Sequence, residues 1–199
     1  MKTELLTPNH PFSSNCYLIS SGGEYAVVDP SSAYDATKIN GTVKYILLTH
    51  SHFDHILEID SWVNATGAEV IISEHEVDFL SDPGRNCYRF FNGSESGYFG
   101  KSRTVRDGEE LTLGEERFSV MHLPGHTIGS LAFVFRECAF VGDTVFSGGG
   151  FGRFDLPSGD MFAIFNSIQR VKALPDKMLL YSGHGEPFTV GQYKSDTKR

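Results

Sequence analysis

Three histidines and one aspartate lie within six residues of the chain, in the segment His50-Ser51-His52-Phe53-Asp54-His55. Imidazole and carboxylate groups are ligands that zinc, iron and manganese accept. The segment directly follows the apolar run of residues 45–49, which is typical of a buried strand. Solvated polar residues on a turn would be the alternative, but so dense a cluster of histidines favours a metal site.

Three further candidate ligands also follow predicted strands: His126 in the segment LPGHT, Asp143 in VGDT and His184 in SGHG. Ligands gather outside one end of the strands in layered α/β sheets, so we expect these side chains to meet the histidine-rich segment. Neighbouring glycines allow the sharp turns that such loops need. Seven side chains exceed the roughly four ligands of one zinc ion, and they suit two metal ions about 3.5–4 Å apart.

The apolar patterning favours an α/β layered fold over an all-β fold. Two segments have helical spacing: His55–Thr66, with Asp54 at the N-cap position, and Ser158–Val171, with Ser158 or Asp160 as its cap. Segments typical of strands are Cys16–Ser20 and Tyr25–Asp29 around a turn at Gly22-Gly23, and then Val43–Leu48, Glu69–Ile72, Phe118–His122, Leu131–Phe135, Cys138–Val141 and Met178–Tyr181.

Residues 81–103 interrupt this pattern with glycines and five aromatic residues. Long loops within compact domains are usually functional, and the aromatic residues argue against disorder. We interpret the segment either as a lid over an apolar part of a substrate, with Tyr88 as a candidate contact, or as a surface loop whose aromatics pack into the core. Four cations of the segment could meet a substrate carboxylate: Arg85, Arg89, Lys101 and Arg103.

Length and composition indicate one globular domain, residues 1–199. The net charge is −8, with 17 Lys and Arg against 25 Asp and Glu, so neither nucleic acid nor an anionic membrane is an expected partner. The sequence contains no transmembrane-length apolar run and no apolar stretch typical of a signal peptide near Met1. Cys16, Cys87 and Cys138 have no C-x-x-C spacing, which favours free thiols and a reducing cytoplasm. No oligomeric state is predicted.

The ordered motifs resemble those of the metallo-β-lactamase superfamily. The similarity extends from the segment Asn15–Ile19, through HSHFDH, PGHT and GD, to the segment Gly183–Gly185. The resemblance implies an αββα four-layer sandwich with the metal ions at one edge. It also implies that His50, His52 and His126 hold one ion, that Asp54, His55 and His184 hold the other, and that Asp143 bridges both.

By this resemblance the protein is a dinuclear metal-dependent hydrolase. The two divalent ions, with zinc favoured and iron or manganese as alternatives, would hold a bridging hydroxide that attacks a carbonyl carbon. Asp54 is also the candidate catalytic residue, because it would orient that hydroxide. The resemblance disfavours antibiotic hydrolysis, since the best-known true β-lactamases have Cys in place of Asp143 and lack the last histidine, His55.

The segment Gly152–Asp160, with the pattern G-R-x-D-x-P-x-G-D, is similar to small hydroxyacylglutathione hydrolase (glyoxalase II)-like proteins. A thioester such as an S-2-hydroxyacylglutathione is therefore the expected substrate. Full glyoxalase II enzymes add a C-terminal helical domain, which we expect this chain to lack because the given sequence ends soon after His184. Arg153 and Phe53 are candidate substrate contacts, although Arg153 could instead form a structural ion pair with Asp155.

Two alternative functions use the same residues. The G-R-x-D pattern also resembles persulfide dioxygenases, in which a single iron ion would use His50, His126 and Asp143, an arrangement typical of non-haem iron. A lactone hydrolase would use the same two-metal site as the thioesterase. Oxygen consumption with glutathione persulfide separates the dioxygenase from both hydrolases.

Overall fold

The structure, a computed structural model, describes residues 1–8, 10–91 and 95–198. Two six-stranded sheets face each other within these residues. The first sheet contains, in spatial order, β1 (Lys2–Leu6), β2 (Cys16–Ser21), β3 (Glu24–Val28), β4 (Thr42–Leu47), β5 (Glu69–Ser73) and β6 (Arg103–Val105). The second contains β7 (Glu110–Leu113), β8 (Glu116–His122), β9 (Leu131–Val134), β10 (Cys138–Gly142), β11 (Leu179–Ser182) and β12 (Phe188–Thr189).

The described residues also form α1 (Ile59–Thr66), α2 (Tyr88–Phe91), α3 (Met161–Lys172) and α4 (Val190–Asp196). Asp160 caps α3, as one of the two predicted caps, because its carboxylate accepts the Ala163 backbone N–H at 2.7 Å. A membrane-spanning helix is absent from the described part of the chain, because no helix there is both long and apolar enough.

Apolar side chains form three clusters that separate four layers. Ile46 and Leu47 are neighbours in β4 and fully buried, but their side chains enter different clusters because successive strand residues point to opposite faces. The Leu47 cluster fills the space between the sheets. The Ile46 cluster packs the first sheet against Trp62 of α1, and a third cluster packs the second sheet against α3 and α4. The predicted αββα sandwich is confirmed.

Strand direction brings the candidate ligand loops to one edge. In the first sheet β3, β4 and β5 are parallel, so their carboxyl ends lie together. In the second sheet β10 and β11 are parallel, and β8 runs the same way because it is related to β10 through the antiparallel β9. A hydrogen bond from the Leu131 backbone N–H to the Thr49 carbonyl, at 2.7 Å, joins the two sheets at this edge.

One predicted helix start is wrong. The helix expected over His55–Thr66 begins at Ile59, and Asp54 is not its N-cap. Phe53–His55 instead form a separate 3₁₀ turn, which ends at Ile56 with non-helical φ −124° and ψ 12°. The break lets His55 Nδ1 reach the carboxylate of Asp29, which directly follows β3. Contacts at the sheet edge therefore override the helical pattern.

The remaining predicted strands and α3 agree with the structure within a few residues. Four short strands were not predicted, because brief edge strands carry little periodic signal: β1, β6, β7 and β12. The helix α4 was not predicted either. The segment 81–103 contains the four-residue helix α2, and its residues 92–94 lie outside the described part.

All three cysteines are free and buried, in agreement with the expected free thiols. Burial raises the pKa of Cys16 to about 12 and that of Cys87 to about 11. Neither thiol is therefore an activated nucleophile.

Candidate metal centre

The seven predicted ligands come together at the common edge of the two sheets. Each lies in a loop that directly follows a strand, as expected for a layered α/β fold. The loop after β4 carries His50, His52, Asp54 and His55, and the loops after β8, β10 and β11 carry His126, Asp143 and His184.

A first group consists of the imidazoles of His50, His52 and His126, all buried. Ring centroids of these three histidines lie 4.7 or 4.8 Å apart. His126 Nδ1 lies 2.7 Å from the Arg153 carbonyl, so it donates its proton there and presents Nε2 to the group. His52 Nδ1 lies 3.0 Å from His126 Nε2. One nitrogen from each of these three histidines lies within 4.8 Å of the other two, close enough to share one ion.

A second group consists of Asp54, His55 and His184. Asp54 Oδ2 lies 3.2 Å from His184 Nε2 and 3.7 Å from His55 Nε2. The His184 side chain is 44% exposed, whereas His55 is fully buried. This group therefore has one side open to solvent, from which a substrate can approach.

Asp143 joins the two groups. Its carboxylate lies 3.4 Å from His55 Nε2, 3.6 Å from His184 Nε2 and 3.7 Å from His126 Nε2. His50, His55 and Asp143 also form a group of their own with potential ligand atoms within 4.8 Å of one another. The carboxylate therefore occupies the position expected of a bridging ligand.

Gly183 makes this close approach possible. A Cβ atom at position 183 would lie 2.1 Å from Asp143 Oδ1 and 2.6 Å from His55 Cε1. Only glycine fits beside these two side chains without displacing them. Asn15 holds the same loop from outside, since its side-chain amide donates to the carbonyls of Ser182 and Gly185 at 3.0 and 2.8 Å.

The donor atoms of the cluster suit metal ions. His50 Nε2, His52 Nε2 and His55 Nε2 are buried and have no hydrogen-bond partner among the described residues. Orphaned buried nitrogens are costly, and those on the neighbouring rings of His50 and His55, with centroids 4.0 Å apart, fit metal ligands. Burial lowers the pKa of His52 to about 3 and that of His50 well below its usual value, so both imidazoles are neutral and can donate lone pairs.

His55 has the opposite electrostatic environment. Burial alone would lower its pKa, but the carboxylates of Asp29, Asp54 and Asp143 together hold it well above the usual value. Three carboxylates around one imidazole leave an excess of negative charge in this half of the cluster. Such a surplus stabilises cations.

Asp29, directly after β3, was not predicted as part of the site. Its buried carboxylate accepts the Thr49 backbone N–H at 2.8 Å and the Thr49 hydroxyl at 2.7 Å, and it lies 2.8 Å from His55 Nδ1. The last contact fixes the tautomer of His55 and directs Nε2 to the cluster. The sequence signal that could have identified Asp29 is a carboxylate directly after a buried strand. The same signal had identified Asp143.

We expect Asp29→Asn to weaken metal binding about 10–100-fold, as losses of such supporting partners do. Asp29 has a φ of 51°, a left-handed value that asparagine tolerates, so the backbone should not change. Equilibrium dialysis against zinc measures the effect, with the exposed Asp60→Asn as control. Equal affinities for both variants would remove Asp29 from the site.

Glu76 is a second buried carboxylate that was not predicted. It is 0% exposed, and its two oxygens accept the backbone N–H groups of Ser51 at 2.7 Å and Gly129 at 2.9 Å. Ser51 lies between two histidines of the first group, and Gly129 lies in the loop that carries His126. Glu76 therefore ties together the two loops that form this group.

Glu76→Gln should lower the free energy of unfolding by about 1–3 kcal/mol, because the amide nitrogen cannot accept and one buried N–H loses its partner. Denaturant unfolding of the metal-free protein measures the loss, and Glu115→Gln on the surface is the control. Unchanged stability would show that the two loops are held by other contacts.

A cavity of about 350 Å³ opens directly over the cluster. Its described lining includes two of the three predicted substrate contacts, Phe53 and Arg153. The third, Tyr88, is not in that lining; it is buried and packs against Phe53 with ring centroids 5.5 Å apart. Phe91 lines the cavity instead, at the end of α2. Arg153 also forms the predicted ion pair with Asp155, at 2.7 Å.

Known proteins share both the sequence pattern and the fold. A family model described as the metallo-beta-lactamase superfamily matches residues 10–184. Hydroxyacylglutathione hydrolase GloC of Haemophilus influenzae is 33% identical over 205 residues, which cover 98% of this chain and 95% of that protein.

Two solved structures superimpose over almost their full lengths. The BLEG-1 B3 metallo-beta-lactamase has a TM-score of 0.87 at 29% identity, covering 98% of this chain and 97% of that one. TTHA1623, crystallised in a di-iron-bound form, has a TM-score of 0.82 at 28% identity, with the same coverage. The matched family model, the relative and the clustered His and Asp ligands agree with the predicted resemblance: this chain belongs to the metallo-beta-lactamase superfamily.

Proposed function

We propose that the protein is a dinuclear metal-dependent hydrolase of thioesters. The observation that carries this proposal is the joining of two ligand groups by Asp143, whose carboxylate reaches imidazoles of both. The superfamily supports a metal-dependent hydrolase. The name of the GloC relative supports a thioester such as an S-2-hydroxyacylglutathione.

Two divalent ions bound here would lower the pKa of water and polarise a carbonyl oxygen. His50, His52 and His126 would hold one ion, Asp54, His55 and His184 the other, and Asp143 both. The donor set accepts zinc, iron or manganese, and zinc is our proposal because imidazole ligands predominate.

The chain's own residues bind and orient the reactants. The open side at His184 admits the substrate, and the cavity above the cluster holds it. Asp54, with its carboxylate between the two histidines of its group, is placed to accept a proton and to orient the attacking water. The imidazoles of His50 and His52, whose pKa values burial lowers, keep their nitrogens available as ligands.

A thiol-release assay with zinc-loaded protein tests this function, with S-lactoylglutathione first and other thioesters after it. We expect turnover that chelation abolishes and His52→Ala removes, whereas the exposed His75→Ala retains it. Opening of a lactone ring, or of the β-lactam ring suggested by the name of the BLEG-1 neighbour, without any thioester cleavage would contradict the thioesterase proposal.

A mononuclear iron persulfide dioxygenase is the second candidate. Two histidines and one carboxylate are the donor set of many non-haem iron oxygenases. His50, His126 and Asp143 would supply such a set: His126 Nε2 lies 3.7 Å from the Asp143 carboxylate, and the ring centroids of His50 and His126 are 4.8 Å apart. An oxygen electrode with glutathione persulfide decides between the two. Oxygen uptake by iron-loaded protein that has no thioesterase activity would establish the dioxygenase.

We further propose a small-molecule substrate as the partner, in a reducing cytoplasm, with no nucleic-acid or membrane partner. The acidic net charge of −8 and the three free cysteines support this proposal.

A further inference from the structure

The cavity over the metal cluster has one polar and one apolar side. The polar lining consists of five predicted ligands together with Ser13 and Arg153; the ligands are His52, Asp54, His126, Asp143 and His184. The apolar side is an aromatic wall, defined here as Phe12, Phe53 and Phe91, with Leu156 beside it. Phe53 and Phe91 stack with ring centroids 5.6 Å apart and an interplanar angle of 17°.

The aromatic wall is open to solvent although it lies beside a deep polar cluster. Phe12 is 55% and Phe91 45% exposed, whereas Phe53 behind them is buried, with 5% exposed. Apolar walls beside a few convergent polar groups are typical of ligand pockets, in which the ligand covers the exposed rings. A flat apolar group could lie against the Phe53–Phe91 pair while its carbonyl reaches the cluster.

The cationic side chains of the loop 81–103 do not face this cavity. Arg85, Arg89 and Arg103 form ion pairs with Asp82, Glu95 and Glu109, and neither they nor Lys101 belong to the cavity lining. The predicted role for them in binding a substrate carboxylate therefore has no support from their positions.

Arg153 is the only Lys or Arg among the described lining residues. Its Nε and Nη2 atoms donate to the Asp155 carboxylate at 2.7 and 2.9 Å, so its charge already has an acidic partner. The described lining thus offers no unpaired cation to a carboxylate-bearing thiol, but it offers a large apolar face. Binding in this cavity should depend on apolar contact rather than on charge.

From this contrast we infer that the preferred substrates carry a flat apolar acyl group, such as an aryl group, which packs against the aromatic wall. Phe91 then acts as a specificity-determining residue that is not needed for small acyl groups. The kinetic test of this inference rests on the proposed thioesterase function, whereas the binding test is independent of that function.

The kinetic test compares S-phenylacetyl- and S-acetyl-N-acetylcysteamine, which share an uncharged thiol. We expect kcat/KM of the zinc-loaded protein to favour the phenylacetyl thioester at least about tenfold. Phe91→Ala should lose this preference. Its neighbour Phe90 is 61% exposed and does not line the cavity, so Phe90→Ala is a matched control that should keep the preference.

The binding test uses S-(4-fluorobenzyl)-N-acetylcysteamine, a thioether that cannot be hydrolysed, observed by fluorine NMR. Line broadening with wild type and Phe90→Ala, lost with Phe91→Ala, would support the aromatic wall as the binding face. Equal broadening with both variants, or no acyl preference in wild type, would overturn the inference. If no thioester is cleaved, the proposed function fails, and the fluorine probe still decides whether the wall binds an apolar group.

Discussion

Asp143→Asn is expected to reduce kcat/KM about 10²–10³-fold or more and to lower the metal content from about two ions per chain to one or fewer. The carboxylate lies within 3.7 Å of imidazoles from both ligand groups. Asparagine has nearly the same shape but lacks the negative charge. Any loss therefore reports charge and bridging rather than packing.

Elemental analysis and thiol release, measured on the same preparation of Asp143→Asn, test this prediction. Asp78→Asn is the control, because Asp78 is an exposed carboxylate on the 3₁₀ turn after β5. A variant that retains both ions and wild-type turnover would show that Asp143 does not join the two groups.

Asp54→Ala is expected to abolish turnover, a loss of about 10²–10⁴-fold for the proton-transfer role alone. The Asp54 carboxylate contacts His184 Nε2 at 3.2 Å on the open side of the cluster, where a substrate would arrive. Alanine removes both a ligand and the proton acceptor. Asp54→Asn keeps one oxygen donor and separates these two roles.

We expect Asp54→Asn to retain more metal than Asp54→Ala but to stay nearly inactive, because an amide does not accept a proton. Single-turnover kinetics and metal analysis of both variants measure this difference, with Asp60→Ala on the exposed face of α1 as control. Substantial turnover by Asp54→Ala would refute the catalytic role of this residue.

The clustering of the ligands could be predicted from sequence because each ligand directly follows a buried strand. Strand direction then determines where these residues lie. Four of the ligands follow the carboxyl ends of strands, and these ends face one edge of the sheets: His50, His126, Asp143 and His184. Local pattern and topology agree at these positions. The alternation of strands and helices predicted an α/β layered fold, whereas the αββα order of the layers came from the resemblance to the metallo-β-lactamase superfamily.

Other features depend on contacts between distant segments and could not be read from local patterns. Asp29 and Glu76 are single carboxylates whose importance comes from partners on other loops, His55 in one case and Gly129 in the other. The start of α1 at Ile59 has a similar cause. Its helical pattern extended back to His55, but in the structure His55 ends a separate 3₁₀ turn and contacts Asp29.

The aromatic loop shows the same limit at the substrate site. Sequence could identify its aromatic richness but not the direction of each ring. Tyr88 and Phe91 are three residues apart on α2, and both contact Phe53, yet Tyr88 is buried beneath it while Phe91 lines the cavity. Tertiary packing alone distinguishes the two.

Metal content per chain is the most direct test of a dinuclear centre. Elemental analysis of protein purified without added metal or chelator, together with Asp143→Asn prepared in parallel, supplies it. The ligand arrangement predicts close to two zinc, iron or manganese ions per wild-type chain. One iron ion per chain, unchanged on reloading with excess metal, would contradict the bridged site and favour the dioxygenase.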